Sequence, residues 1–183
     1  MILSFALWIQ ATPFFTYLRG SSYSYSSILS LHMVVLAFFG GMILMTDMRL
    51  LGWAMRKRKV SDLIDQLRVP KRIGLLCMVT LGFLLFGCKA EEYYYNIFFR
   101  IKLIFLALAA IHVLVFRRSV FDNAAELDKL KRMPGNVKLA AGLSLLIWAG
   151  VAIAGRGIGY IEPPFGIHAE LFHSIATLGA LYR

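Results

Sequence analysis

The chain has 183 residues, 59% of them hydrophobic and 16% charged, with a formal net charge of +10. Soluble domains carry about 25% charged residues, and the mean hydropathy of +0.69 lies far on the apolar side. These values exclude a secreted disulfide scaffold, a disordered tail and an ordinary cytosolic enzyme, and point to an integral membrane protein.

Residues 1–18 are apolar but broken at Thr12-Pro13. Thr12 suits a helix N-cap and Pro13 the first helical position. No Lys or Arg precedes Arg19, so the basic region of a secretory signal is missing. A helix lying in the membrane interface is expected. Ser21 to Ser30, rich in Ser and Tyr, reads as a loop leading into the first span.

A spanning helix needs about 20 apolar residues. Four segments come close: 28–46, 73–90, 97–116 and 137–155. Arg100 and Lys102, in the first turns of the third, read as side chains that snorkel to the headgroups. The runs are continuous, without the alternation of a membrane β-strand. The expected fold is therefore all-α: one domain over 1–183, an integral-membrane four-helix up-down-up-down bundle. Between the spans, Ser61 to Leu67 reads as a short amphipathic helix with Ser61 as N-cap, ending before Pro70. Asn123 to Met133 reads as a second amphipathic stretch, closed by Pro134-Gly135. Segment 165–182 has spanning length but carries His168, Glu170 and His173. A helix on the outer surface is the default there, and a fifth span the alternative.

The basic residues divide unevenly. Arg49 to Arg72 holds eight, Arg117 to Lys138 holds six, and the remaining connections and ends hold six. The positive-inside rule then places both rich loops in the cytoplasm and both chain ends outside a bacterial inner membrane. The charge is a topology signal, so no nucleic-acid partner is expected, although the loops suit acidic lipid headgroups.

Motifs of soluble enzymes are absent: there is no Walker loop, no C-x-x-C and no H-E-x-x-H. Cys77 and Cys88 would lie about 16 Å apart on one helix, too far for a disulfide. Gly40, Gly41, Ala140, Ala141 and Gly142 would let helices approach closely, favouring self-association or other membrane subunits as partners. The histidines carry the chemical question, because an ionisable group inside a span is a functional candidate. Two imidazoles at one depth can ligate a b-type haem. His32 lies about 6 Å from the outer end of its helix and His112 near the inner end of its own. The two are therefore roughly 15–18 Å apart in depth and cannot share an iron. His168 or His173 can reach the depth of His32 if the tail folds back, whereas His112 has only Met78 at a similar depth. His32, His168 and His173 are thus the candidate haem and metal ligands. Asp47 shares a helix face with His32 to within about 60°; a boundary ion pair with Arg49 or a loop base is expected for it.

Several segments resemble a bacterial family of small four-helix membrane proteins with no assigned function. They are Ala11-Thr12-Pro13, Leu31-His32 followed by Gly40 or Gly41, Asp47 to Gly52, Gly82 to Phe86, Asn96 to Lys102, and Gly155 to Tyr160. The resemblance runs over most of residues 11–160. The chain departs from that pattern at Leu29, often Glu there, at Gly157, often Trp, and at His112, commonly Asn. Through His32 and its Gly-rich half-helix the chain more remotely resembles copper-resistance membrane proteins and four-helix haem-binding protoporphyrinogen oxidases.

The expected function is a multi-pass membrane subunit of a redox assembly, not an enzyme on its own. It would hold one b-type haem near the outer face and pass electrons between an external partner and a quinone. A cofactor-free accessory subunit and a transporter of small solutes or metal ions stay open as alternatives.

Overall fold

The computed structural model describes residues 2–117, 120, 123–130 and 132–160. Eight helices occur among them: α1 (Ile2–Gln10), α2 (Pro13–Gly20), α3 (Ser22–Leu51), α4 (Val60–Cys88), α5 (Ala90–Tyr95), α6 (Ile97–Arg117), α7 (Ala124–Leu127) and α8 (Gly135–Gly157). Four of these, α3, α4, α6 and α8, are long and apolar enough to cross a membrane. Their outer faces carry Phe38, Leu76, Leu114, Leu146 and Ile153, each between 68% and 73% exposed. Such surfaces would be costly in water and are ordinary against lipid tails. The chain is an all-α, four-helix bundle that fits a multi-pass membrane protein.

The seams follow a ring with one gap. α3 packs on α4 and on α8, and α8 packs on α6, whereas α4 and α6 share no extended seam and meet at one end through the Phe86 and Phe99 rings. Successive spans run antiparallel, so the N-terminal end of α3 lies beside the C-terminal ends of α4 and α8 and the start of α6. At that end α1 and α2 fold over α4 and α5, and Ile9, Phe15 and Cys88 form a small apolar cluster. At the opposite end the basic connections close over a larger cluster that includes Leu50, Val60, Ile64, Leu127 and Val137.

Several local expectations change. The first span begins earlier than residue 28: the Ser/Tyr-rich segment is the first two turns of α3, not a loop. It is held there by the Tyr25 hydroxyl, 3.1 Å from that of Tyr93. Thr12 occupies the N-cap position of α2 with extended backbone, but its hydroxyl donates backward to the Ile9 carbonyl at 2.8 Å, finishing α1. The helix expected to stop before Pro70 instead runs on, so that α4 reaches from the loop cluster into the second span. Pro70 forgoes one helical hydrogen bond, and α4 continues through it, with Val60, Leu63 and Ile64 buried at its start.

Ser61 is not the N-cap of α4; Lys59 is, without a side-chain bond of its own. The orphan amides are satisfied from a distance by Asp128. Its carboxylate accepts from the Val60 amide at 2.5 Å, the Ser61 amide at 3.1 Å and the Ser61 hydroxyl at 2.5 Å. α3 ends on Gly52, whose φ of +77° is the left-handed turn that glycine adopts without strain.

The small residues expected to bring helices together divide. Ala140 and Ala141 are buried, but Cβ atoms placed on Gly40, Gly41 or Gly142 would meet nothing within 4 Å. Close approach occurs instead at Gly150, where the Phe105 ring of α6 lies against the α8 backbone, and at Gly87, where Phe15 lies against α4. A bulky ring opposite a missing side chain fixes these seams.

Candidate functional site

The gap between α4 and α6 holds a cavity of about 740 Å³. His32 lines it from α3, Gly82 and Met78 from α4, Tyr93 from α5, Lys102 from α6, and Gly155 and Arg156 from α8. Four local features build this wall. Asn96 caps α6: its Oδ1 accepts from the amides of Phe98 at 2.9 Å and Phe99 at 3.3 Å. Its Nδ2 donates to the Ile158 carbonyl at 3.3 Å, tying the start of α6 to the end of α8. Phe86, Tyr93 and Phe99 stack nearly parallel, with centroids 5.2 to 6.4 Å apart. Beside them Lys89 pairs with Glu92 at 2.8 Å and lies over the Tyr25 ring. Burial, and the Tyr25 hydroxyl next to it, push the Tyr93 phenol well above its ordinary value, so it stays neutral.

His32 is only 6% exposed, and its Nδ1 is buried without a hydrogen-bond partner. The ring leans toward α4, where a Cβ on Gly82 would lie 3.6 Å from Cε1. Lys102 is close enough for its charge to reach the imidazole. The Lys102 side chain follows the α8 backbone: a Cβ on Gly155 would sit 3.7 Å from Nζ. Lys102 was expected to snorkel to the headgroups. Arg100 is exposed, as that expectation requires, with Nε and Nη2 donating to the Tyr94 carbonyl at 3.1 and 3.0 Å. Lys102, two residues on, is turned by about 200° and belongs to the cavity wall. Three cations, Lys89, Lys102 and Arg156, therefore line the cavity against one carboxylate, Glu92.

His112 lies about 15 Å further along α6 than Lys102. Its Nε2 is 2.9 Å from the Ala140 carbonyl, and its ring rests on Phe116. It is a structural link between α6 and α8. Met78, expected at the depth of His112, belongs to the wall of the His32 cavity instead. The antiparallel register that sets Gly82 beside His32 places Met78 one turn below it.

A second polar group lies further along α3. Asp47 is 7% exposed, lies beside Ser144 and feels the charge of Lys71; its Oδ2 has no partner. Lys71 Nζ donates to Thr46 Oγ1 at 2.6 Å. Arg49 does not pair with Asp47; its Nε donates to the Arg58 carbonyl at 2.7 Å.

His168 and His173, with the expected helix over 165–182, lie outside the described residues. Among the described residues no three His, Cys, Asp or Glu side chains come together as a metal-binding group. Cys77 and Cys88 are free thiols.

The described residues thus form a bundle of four membrane-length helices with a cavity between them. Residues 5–161 match a family of unknown function (DUF6644), and the chain belongs to it. No curated protein and no solved structure matches the chain.

Proposed function

We propose that the protein is a membrane subunit of a redox assembly in a bacterial inner membrane, and that the cavity holds a b-type haem. The basic loops then face the cytoplasm and the cavity the outer side, as the distribution of Lys and Arg favours. The observation that carries this reading is His32: an imidazole 6% exposed, with Nδ1 unpartnered, on the wall of a cavity of about 740 Å³. Buried polar groups in native proteins find partners as a rule, and an orphaned imidazole in such a space suits an iron ligand. Haem also carries two propionates, and Lys102 and Arg156 supply cations on the same wall. His168 or His173 would supply a second imidazole to hold it. The bound group would supply one-electron chemistry, exchanged between an external partner and a quinone. The chain's own residues would ligate, balance charge and exclude water.

The test is the visible spectrum of protein purified with its native partners, oxidised and then dithionite-reduced. A Soret band that shifts on reduction and disappears in His32→Ala is expected. No band overturns the haem; a band that survives His32→Ala removes His32 as ligand.

A second reading, a transporter of small solutes or metal ions, draws on Asp47 and Lys71, a further polar station along α3. Substrate-dependent uptake by the isolated protein in liposomes would favour it. Stoichiometric partners retained in mild detergent would favour a subunit, with or without a cofactor.

A further inference from the structure

We propose that the cavity is a side-access site for an anionic amphiphile, in which Lys102 takes the ligand's carboxylate or phosphate. The apolar body of the ligand lies in the open seam between α4 and α6. This rests on the reading of the cavity as a ligand site, but not on the ligand being haem.

Three independent observations support it. The first is the charge of the wall. Lys89 is already engaged by Glu92, and Arg156 donates to the Tyr160 hydroxyl at 2.8 Å and lies over that ring. The Lys102 ammonium makes no hydrogen bond or ion pair to any described residue, although its side chain lies inside a spanning helix and against α8. A cation held within a membrane bundle normally pairs or marks a ligand path. The second is the geometry of the ring. α4 and α6 both line the cavity and share no extended seam; beyond the Phe86–Phe99 stack that joins them at one end, the fourth side of the ring is open among the described residues. The third is the chemistry beside the cavity: Leu75, one turn from Met78 on α4, and Leu106, one turn from Lys102 on α6, are exposed and apolar. A cation set inside an apolar, laterally open seam matches a molecule that is charged at one end and oily at the other. A free phosphate would gain nothing from the seam, and a neutral lipid nothing from Lys102.

The experiment uses the full chain in phosphatidylcholine nanodiscs, with dansyl-undecanoic acid and its methyl ester as fluorescent probes and empty nanodiscs as baseline. The acid is expected to bind saturably and at least tenfold more tightly than the ester. Lys102→Met is expected to bring the two within about twofold of each other, and Lys102→Arg to restore the preference. Inorganic phosphate should not displace the acid. Displacement by ferric protoporphyrin, by phosphatidylglycerol or by neither assigns the natural headgroup to a pigment, a membrane lipid or a simple carboxylic acid. Equal binding of acid and ester to the wild type overturns the proposal. So does the absence of saturable binding, or an acid preference unchanged in Lys102→Met. The visible spectrum separates this proposal from the haem reading: an acid preference that depends on Lys102 in protein without a Soret band keeps this proposal and overturns the haem.

Discussion

Phe39 of α3 and Trp148 of α8 meet edge to face, their ring centroids 5.3 Å apart. Along α3 they stand between His32 and Asp47, with Phe39 itself only 6% exposed. Along α3 the interior of the bundle thus holds the cavity with His32, an aromatic pair and the Asp47 carboxylate, in that order. Phe39→Ala should lower stability by about 1–3 kcal/mol. That is less than the about 3–5 typical of soluble cores, because lipid already solvates apolar groups. It should also admit water between the two polar groups, measurable as faster proton leak in liposomes. An unchanged leak would mean that other side chains close the path.

Gly150 and Gly142 lie on the same helix and differ in what faces them. A Cβ on Gly150 would come within 2.5 Å of the Phe105 ring, whereas one on Gly142 meets nothing within 4 Å. Gly150→Ala should cost about 1–3 kcal/mol by overpacking, and Gly142→Ala should be neutral or slightly stabilising. Thermal unfolding of both variants in one detergent decides it.

Asp47 is buried and Lys71 half-buried on the neighbouring helix, close enough for their charges to interact. Removing one leaves the other uncompensated, at a cost below the about 3–5 kcal/mol of a fully buried pair. Asp47→Asn and Lys71→Met should each destabilise the bundle, and the double variant should cost clearly less than the sum. Additive losses in a double-mutant cycle would show that the two are not coupled.

Asp128 is the distant cap of α4. Burial alone would raise its carboxyl, but the Ser61 hydroxyl, the amides of Val60 and Ser61 and the Arg49 charge hold it below the ordinary carboxylate range. A depressed pKa means that the ionised form favours the folded state. Its contribution is present above the unfolded value of about 3.9 and is lost as pH falls through the lower folded value. Asp128→Ala should cost about 1–2 kcal/mol and speed hydrogen exchange at the first turn of α4. Slow exchange at Val60 and Ser61 in that variant would mean that another group caps the helix.

His112→Phe removes the bond to the Ala140 carbonyl. It should cost about 1 kcal/mol and leave any pigment spectrum unchanged, unlike His32→Ala.

The spans were legible because hydrocarbon thickness dictates their length: α6 begins at Ile97, where the apolar run begins. The helical Ser/Tyr segment before residue 28 was not, because its local propensity favours a loop and only the contact from Tyr25 to Tyr93 decides otherwise. The Asn96 cap was readable, since an Asn directly before an apolar run is an N-terminal signal. The inward turn of Lys102 was readable too, from its two-residue offset to Arg100. The cap from Asp128 was not, since no local pattern relates residues so far apart in the chain. The open seam was hidden for a similar reason: apolar runs place helices in a membrane but do not tell which pairs touch.

The Asp128 cap also bears on how the protein is made. The first turn of α4 is completed by a residue 68 positions later in the chain. The second span must therefore enter the bilayer with its starting amides still exposed to solvent. They are closed only after the third span has been inserted and the following connection has returned. Assembly of this end of the bundle is in that sense a checkpoint on correct insertion: a third span that fails to cross leaves Asp128 on the wrong side, and the start of α4 without its carboxylate.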